Sequence, residues 1–204
     1  MINQSEITLG QTKLFDTTFI IHRQIDFQRI IIHLTKNILN MTGSIEIIEP
    51  EPIQEDVSSY ICMWTKNIDS RKGVISLFNT NIKLLERIVK EKLNKVLILE
   101  DDAELLFHEM ELDQDCWIHF LNIRTWKNRY ISTLANYYPK WETTLLLLNK
   151  LKEYIKLKKN RHRAWDLELD YMKNKFKLPF KYTNYFNHPD NISLLGNNKY
   201  NKQS

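Results

Sequence analysis

Three adjacent acids, Glu100, Asp101 and Asp102, directly follow the apolar run Val96–Leu99. An unbroken apolar run of this length predicts a strand buried on both faces of a parallel sheet. Ligands of open α/β sheets bind beyond the carboxyl ends of the strands, so the acids are predicted to line a ligand crevice. Adjacent carboxylates repel one another unless a cation or an exposed position relieves them, and their oxygens suit Mg²⁺ or Mn²⁺. The alternative is that they cap a helix beginning at residues 103–105.

The remaining candidate groups have weaker patterns. The D-x-D of Asp113 and Asp115 precedes a predicted strand instead of following one, so we interpret it as a surface loop. Cys62 and Cys116 form no CxxC pair, which indicates neither a disulfide framework nor a cysteine zinc site. The histidines other than His188 show no zinc-binding spacing. Each is interpreted as a surface or core residue: His22, His33, His108, His119 and His162.

Glycine is scarce, with four in 204 residues, at Gly10, Gly43, Gly73 and Gly196. No two of them lie close enough in sequence to share one phosphate-binding loop. The dinucleotide fingerprint and the P-loop both need clustered glycines, so both are excluded. A nucleotide, if one binds, must be held by other means.

The composition is that of an ordinary globular chain, with 43% hydrophobic residues and a net charge of +4. We expect an N-terminal extension over residues 1–14, one domain over 15–195 and a flexible tail over 196–204. The chain shows no signal-peptide pattern and no apolar run long enough to cross a bilayer, so a cytoplasmic location is expected. Basic residues concentrate between Lys150 and Arg163, as either a solvated helix face or a polyanion-binding surface.

The first hundred residues alternate between strand-like and helix-like segments. The predicted strands are Phe19–Ile21, Ile45–Ile48, Tyr60–Trp64, Val96–Leu99, Trp117–Asn122 and Thr143–Leu148. The predicted helices are Asp26–Leu39, Ile75–Leu93, a short stretch ending near Met110, a basic helix after Leu148 and one from Trp165, with a loop up to Pro139. This order predicts an α/β fold with a mostly parallel, mixed sheet and helices on both faces.

The segment VLILEDDAEL, residues 96–105, resembles the sugar-nucleotide-binding motif of glycosyltransferase family 25, the lipopolysaccharide and collagen-type galactosyltransferase group. Residues 73–86 align without a gap to the family pattern G-x-I-G-C-x-L-S-H-I-K-L-W-E. Residues 19–29 are similar to a loose form of its opening strand and R-x-x-D-R region. Residues 143–150 are similar to its strand and N-K turn.

This resemblance implies a GT-A fold that transfers a hexose, galactose or glucose, from a UDP-sugar with inversion. It implies a Mn²⁺ or Mg²⁺ ion held by Asp101 and Asp102, with Glu100 supporting the strand end and His188 completing the coordination. The ion would bridge the donor diphosphate. The acceptor would be a glycan, lipid-linked or protein hydroxyl.

The resemblance also implies roles for residues outside the acidic motif. Arg23 and Arg29 would meet the diphosphate or the nucleotide, and Asp166 would take the proton of the acceptor hydroxyl. Asn81 stands at the position of the family's histidine and is a candidate nucleotide contact. The chain departs from the family pattern at Thr80-Asn81, where the family has Ser-His, and at Ser76, where it has glycine.

Three alternatives remain open from the sequence. A family member with weakened catalysis would act as a binding protein. A nucleic-acid or polyanion-binding module would use the basic Lys150–Arg163 segment with nearby aromatic side chains. A response-regulator receiver domain also carries adjacent acids after a strand, although there the motif opens the domain.

Overall fold

The computed structural model describes residues 13–22, 38–57, 61–62, 68–101, 103–106, 109–126, 129–131, 134–157, 161–162 and 164–187. Within them the chain forms short strands and three helices. The strands are β1 (Phe15–Ile21), β2 (Thr42–Ile48), β3 (Ile61–Cys62), β4 (Val96–Glu100), β5 (Glu104–Leu105), β6 (Ile118–Phe120), β7 (Arg124–Trp126), β8 (Arg129–Ile131), β9 (Ala135–Tyr138), β10 (Arg161–His162), β11 (Phe180–Tyr182) and β12 (Phe186–Asn187). The helices are α1 (Ile68–Glu91), α2 (Trp141–Leu157) and α3 (Trp165–Phe176).

A six-stranded sheet with the order β11-β6-β9-β4-β1-β2 organises the fold. Strands β2, β1 and β4 are parallel neighbours, and β11 is parallel to β6. Strand β9 runs antiparallel to both β4 and β6, so five strands point one way and one points the other. The predicted α/β class with a mostly parallel, mixed sheet is confirmed.

The three helices cover one face of this sheet. Helix α1 presents Leu77, Leu84, Leu85 and Ile88, whose spacing places them on one side of the helix, and all are buried. They share a core with the residues that point from the sheet toward the helices: Phe19, Ile21, Val96, Ile98, Ile118, Phe120 and Tyr138. The apolar side of α1 and the apolar side chains of the sheet thus form the main core of the protein.

The opposite face of the sheet is also buried, and among the described residues loops and short strands cover it, so helices are seen on one of the two faces for which they were predicted. Ile20, Leu97, Leu99, Ala135 and Tyr137 point to this side. Their covering residues come from loops and from the last short strand: Ile38, Ala103, Leu121, Leu134 and Phe186. The predicted helix Asp26–Leu39 lies outside the described residues except for its last two positions. Burial on both faces explains why the runs Phe19–Ile21 of β1 and Val96–Leu99 of β4 are continuously apolar.

The predicted strand Thr143–Leu148 is wrong, because these residues lie inside helix α2. A run of four leucines fits either a buried strand or a buried helix, and the apolar spacing beyond the run decides between them. Leu147, Leu148 and Leu151 recur at helical spacing and are buried together. The likeness of this segment to a strand followed by a turn is therefore overturned as well.

Two other predictions change with the structure. The loop predicted up to Pro139 contains the buried antiparallel strand β9, whose sequence Ala-Asn-Tyr-Tyr has no alternating or aliphatic pattern. The short helix predicted to end near Met110 is instead irregular where it is described, with β5 at Glu104–Leu105 paired to β12. Strand β9 pairs with β4 and β6 in the main sheet, whereas β5 pairs with β12 in a separate two-stranded sheet. The local sequence of neither segment encodes these partners.

The D-x-D segment is a loop, as predicted. The Asp113 carboxylate accepts the backbone N–H groups of Asp115 at 2.8 Å and Cys116 at 3.1 Å, which closes an Asx turn. Burial raises the pKa of Cys116 to about 12, so this thiol stays protonated.

None of the three described helices has the length and hydropathy that crossing a bilayer requires.

His119 is a buried polar residue of β6 whose hydrogen bonds define its charge state. The Asp113 N–H donates to His119 Nδ1 at 3.2 Å, so the ring proton is on Nε2, which donates to the Thr183 hydroxyl at 2.9 Å. Burial lowers the pKa of His119 to about 4, while the charges of Asp113 and Lys181 act in opposite directions. The side chain is therefore neutral at pH 7.

We expect His119 to make folding stability pH-dependent. Its pKa of about 4 in the folded state lies below the unfolded value near 6.5, so the unfolded chain binds more protons between these values. Its contribution is complete above about pH 6.5 and is lost as the pH falls toward 4, on the order of 1–2 kcal/mol. Urea unfolding at a series of pH values measures this loss.

The matched variant is His119→Asn, which keeps an acceptor near the position of Nδ1 but cannot titrate. It should be less stable at pH 7 and should show a flatter dependence between pH 5 and 6.5, above the range of ordinary carboxylates. An identical slope in both proteins over that interval would contradict the assignment.

Candidate functional site

The carboxyl ends of β1 and β4 lie side by side and place a histidine next to an aspartate. The two strands pair in parallel with Ile21 opposite Glu100, so the next residues, His22 and Asp101, are neighbours. His22 Nδ1 lies 3.0 Å from Asp101 Oδ2, although the residues are 79 positions apart in sequence. The register of two buried strands thus creates this pair.

Backbone hydrogen bonds continue past the strand ends and hold the pair in place. The Asp101 N–H donates to the Ile21 carbonyl at 3.1 Å, and the His22 N–H donates to the Ile48 carbonyl at 2.9 Å. The Ala103 N–H donates to the Glu100 carbonyl at 3.1 Å, which closes a tight turn around the acids. The position of both side chains therefore depends on the sheet itself.

This place in the sheet is a topological switch point. The chain leaves β1 for β2 on one side, and β4 later joins β1 on the other side. Connections that diverge from neighbouring parallel strands leave a crevice beyond their carboxyl ends, where α/β proteins bind ligands. His22 and Asp101 follow the two strands that flank this crevice.

The pair is sheltered but accessible, with 11% of the His22 side chain and 15% of the Asp101 side chain exposed. A separation of 3.0 Å suits a hydrogen bond from the imidazole to the carboxylate. It also suits two adjacent ligands of one octahedral cation, which lie about 3 Å apart when each is about 2.1 Å from the ion. Imidazole nitrogen and carboxylate oxygen are both donors that Mn²⁺ accepts, so the donor chemistry fits such an ion.

The predicted metal and diphosphate residues fall partly outside the described structure. Asp101 lies at the switch point, and Glu100 is the last residue of β4. Asp102, Arg23, Arg29 and His188 lie outside the described residues. Among the residues that are described, no three histidines, cysteines or acids are grouped closely enough to hold a metal ion. The predicted metal set remains a prediction.

Asn81, the predicted nucleotide contact, is buried in α1, where its amide donates to the Leu77 carbonyl at 3.0 Å. One turn earlier, the Ser76 hydroxyl donates to the Glu51 carbonyl at 2.7 Å. This bond ties the N-terminal half of α1 to the segment that leaves β2 at the carboxyl edge of the sheet. The serine that replaces the family's glycine therefore has a structural partner here.

Asp166, the predicted base, lies in the first turn of α3, and its carboxylate accepts the Leu167 N–H at 2.8 Å. The neighbouring Trp165 is buried and packs edge-to-face against Phe78 of α1, with ring centroids 5.3 Å apart. Two acids further along α3 are more deeply buried, Glu168 at 3% exposure and Asp170 at 6%. The Asp170 carboxylate accepts the Asn174 side-chain amide at 3.2 Å.

His22, which the sequence alone predicts to be a surface or core residue, is a site residue in the structure. The sequence does contain a signal for this role. His22 directly follows the first apolar strand, and Asp101 comes two residues after the apolar run Val96–Leu99. Adjacent parallel strands present their carboxyl ends at one edge of the sheet. What the sequence could not supply was the adjacency of β1 and β4.

No family model matches this sequence, and no curated protein is significantly similar to it. The solved structures that align with most of this chain include the following two. One is a glycosyltransferase involved in the glycosylation of the major capsid of PBCV-1, with 12% identity, 82% of this chain and 80% of that chain covered, and a TM-score of 0.44. The other is a nucleoside-diphosphate-sugar pyrophosphorylase from Vibrio cholerae RC9, with 11% identity, coverage of 82% and 72%, and a TM-score of 0.35. At these values the likeness defines neither a shared family nor a shared activity.

We expect His22 and Asp101 to be energetically coupled. In a double-mutant cycle of unfolding free energies with His22→Ala and Asp101→Asn, the coupling should be about 1–2 kcal/mol, because both partners are largely sheltered from water. The exposed pair Lys83 and Glu51 is the control and should couple by less than about 0.5 kcal/mol. Additive effects at His22 and Asp101 would contradict the interaction.

Proposed function

We propose that this protein is a glycosyltransferase that moves a hexose, galactose or glucose, from a UDP-sugar to a hydroxyl acceptor with the help of a divalent cation. The observation that carries the proposal is the position of the acidic motif. The motif that resembles glycosyltransferase family 25 contains β4, and its Asp101 lies just beyond the carboxyl end of that strand at the switch point, beside His22. This is the crevice where α/β sheets bind ligands, and a donor-binding motif has to lie there.

Asp101, Asp102 and His188 are the proposed ligands of Mn²⁺ or Mg²⁺, and Glu100 supports the strand end. The cation, when bound, neutralises the donor diphosphate and the charge that develops on it as it leaves. This arrangement agrees with the scarcity of glycine, since a cation and side chains can hold a diphosphate without a glycine-rich loop. Arg23 and Arg29, which follow β1, are the proposed side-chain contacts of the diphosphate.

In the proposed reaction, residues of the chain remove the proton of the acceptor hydroxyl and contact the nucleotide. The acceptor oxygen attacks the anomeric carbon, the bond from that carbon to the diphosphate oxygen breaks, and UDP leaves with the electron pair. Asp166 takes the proton of the acceptor hydroxyl. Because the displacement is a single direct attack, the configuration at the anomeric carbon is inverted. Asn81 is the proposed contact on the nucleotide side. A glycan, a lipid-linked sugar or a protein hydroxyl would serve as acceptor.

Metal and donor binding test the proposal directly. Mn²⁺ together with a UDP-sugar should raise the melting temperature of the full chain, and Asp101→Asn should abolish most of this shift because it removes a charged ligand. Electron paramagnetic resonance of free Mn²⁺ gives an independent measure of metal binding.

The control is Asp115→Asn, the same chemical change in the second acidic motif. The Asp115 side chain is 94% exposed and pairs at the surface with Lys140, so this variant should keep the full shift. An absence of any shift with all common sugar nucleotides, or an equal loss in both variants, would overturn the proposal.

Asp166 is tested separately from metal binding. Asp166→Asn keeps an oxygen that can accept the Leu167 N–H, so the start of α3 should be preserved. Transfer should fall by about 10²–10⁴-fold while the Mn²⁺ and UDP-sugar shift stays, because only proton removal is lost. Undiminished transfer would exclude Asp166 as the base. Donor binding without transfer or hydrolysis in the wild type would instead support a family member with weakened catalysis.

A further inference from the structure

The helical layer carries a basic surface in which lysines lie over aromatic rings. Residues 140–182 hold twelve lysines and arginines against five acids, so they account for more than the whole net charge of +4. Lys150 lies over Phe176 at 5.1 Å, and Lys175 lies over Tyr171 at 5.6 Å and over Phe176 at 5.4 Å, measured from Nζ to the ring centroid. We refer to these four residues as the lysine-aromatic surface. Lys173, two residues from Lys175, leaves the helix on another side and lies over Tyr182.

Exposed apolar side chains accompany this charge. Among the described residues six large hydrophobic side chains are exposed, and three belong to α2 and α3: Leu146, Leu157 at 78% exposure and Phe176. Leu146, Lys150 and Leu157 are four and seven residues apart, so they lie along one side of α2. The preference of lysines for helix C-termini explains Lys173 and Lys175 but not the exposed leucines.

We propose that the lysine-aromatic surface, together with Leu146 and Leu157, docks the protein on an anionic lipid bilayer. Lysines next to exposed apolar side chains are the combination that binds the interface of a bilayer, with ammonium groups at the headgroups and apolar groups just below them. The partner that matches the charge and the exposed leucines together is a lipid surface. The inference does not depend on the proposed transferase activity.

A nucleic-acid strand fits the same surface less well. Strand-binding proteins stack bases on open aromatic faces. Here lysines cover ring faces, Tyr154 and Tyr171 stack on each other at 5.1 Å, and Tyr182 stacks on Phe120 at 4.8 Å. Exposed leucines also contribute nothing to phosphate binding. The surface therefore presents charge and apolar groups but few ring faces on which a base could stack.

Vesicle co-sedimentation of the full chain tests this docking. The protein should bind phosphatidylcholine vesicles that contain about one-third phosphatidylserine, should not bind phosphatidylcholine alone, and should be released by salt. Replacing Lys150 and Lys175 by Gln should weaken binding roughly fivefold per lysine, about 25-fold in total. Leu157→Ser should lower the binding that persists at high salt by about tenfold.

The control replaces Lys83 and Lys90 of α1 by Gln, which lowers the net charge by the same two units. This variant should lose no more than about fivefold in affinity, since only long-range attraction is weakened. Thermal melting verifies that each variant is folded, and wild-type release by salt does not depend on any variant. Equal losses in both double variants, no binding to anionic vesicles, or displacement from them by a single-stranded oligonucleotide at lower concentration than by soluble lipid headgroups would overturn the proposal.

Discussion

The register between β1 and β4 is the constraint on which the candidate site depends. Residues 17–21 pair with residues 96–100 without a bulge, and both strands are buried on both faces. A slip of one residue would exchange the side chains that face the helices with those that face the loops. It would also separate His22 from Asp101. The burial of aliphatic side chains therefore fixes the geometry of a polar pair at the end of the sheet.

The two faces of the sheet are covered in different ways, and this difference separates the functions that we propose. Helices cover one face, and residues 140–182, which include two of these helices, carry the net positive charge of the chain. In the described part of the chain, loops and short strands cover the other face, and Glu100 and Asp101 lie at the carboxyl end of β4. Without residues 140–182 the remaining chain has more acids than basic residues. An edge that attracts cations and a helical layer that attracts anionic surfaces can thus coexist in one small protein.

Scarcity of glycine has a specific meaning in this fold. A Cβ atom on Gly43 would lie 2.7 Å from the Asp16 carbonyl oxygen of the neighbouring strand. This glycine therefore serves the close approach of β2 to β1, not a phosphate. The backbone of the described residues thus contributes no glycine-rich cradle for a nucleotide, and recognition of a diphosphate would have to depend on side chains and a cation. The proposed function therefore requires that side chains and a cation, and not the backbone, bind the diphosphate.

The sequence by itself determined the α/β class, the strand that ends in acids, the periodicity of α1 and α3, and the loop at Asp113, because each is encoded by neighbouring residues. Only the tertiary structure decided that β9 is an antiparallel strand, that Thr143–Leu148 is helical, and that His22 meets Asp101. A run of leucines satisfies two local periodicities, and Ala-Asn-Tyr-Tyr satisfies neither, so burial against distant partners decides both. The His22–Asp101 contact joins residues 79 positions apart. It arises from strand order, which depends on how the whole core packs and which no local pattern encodes.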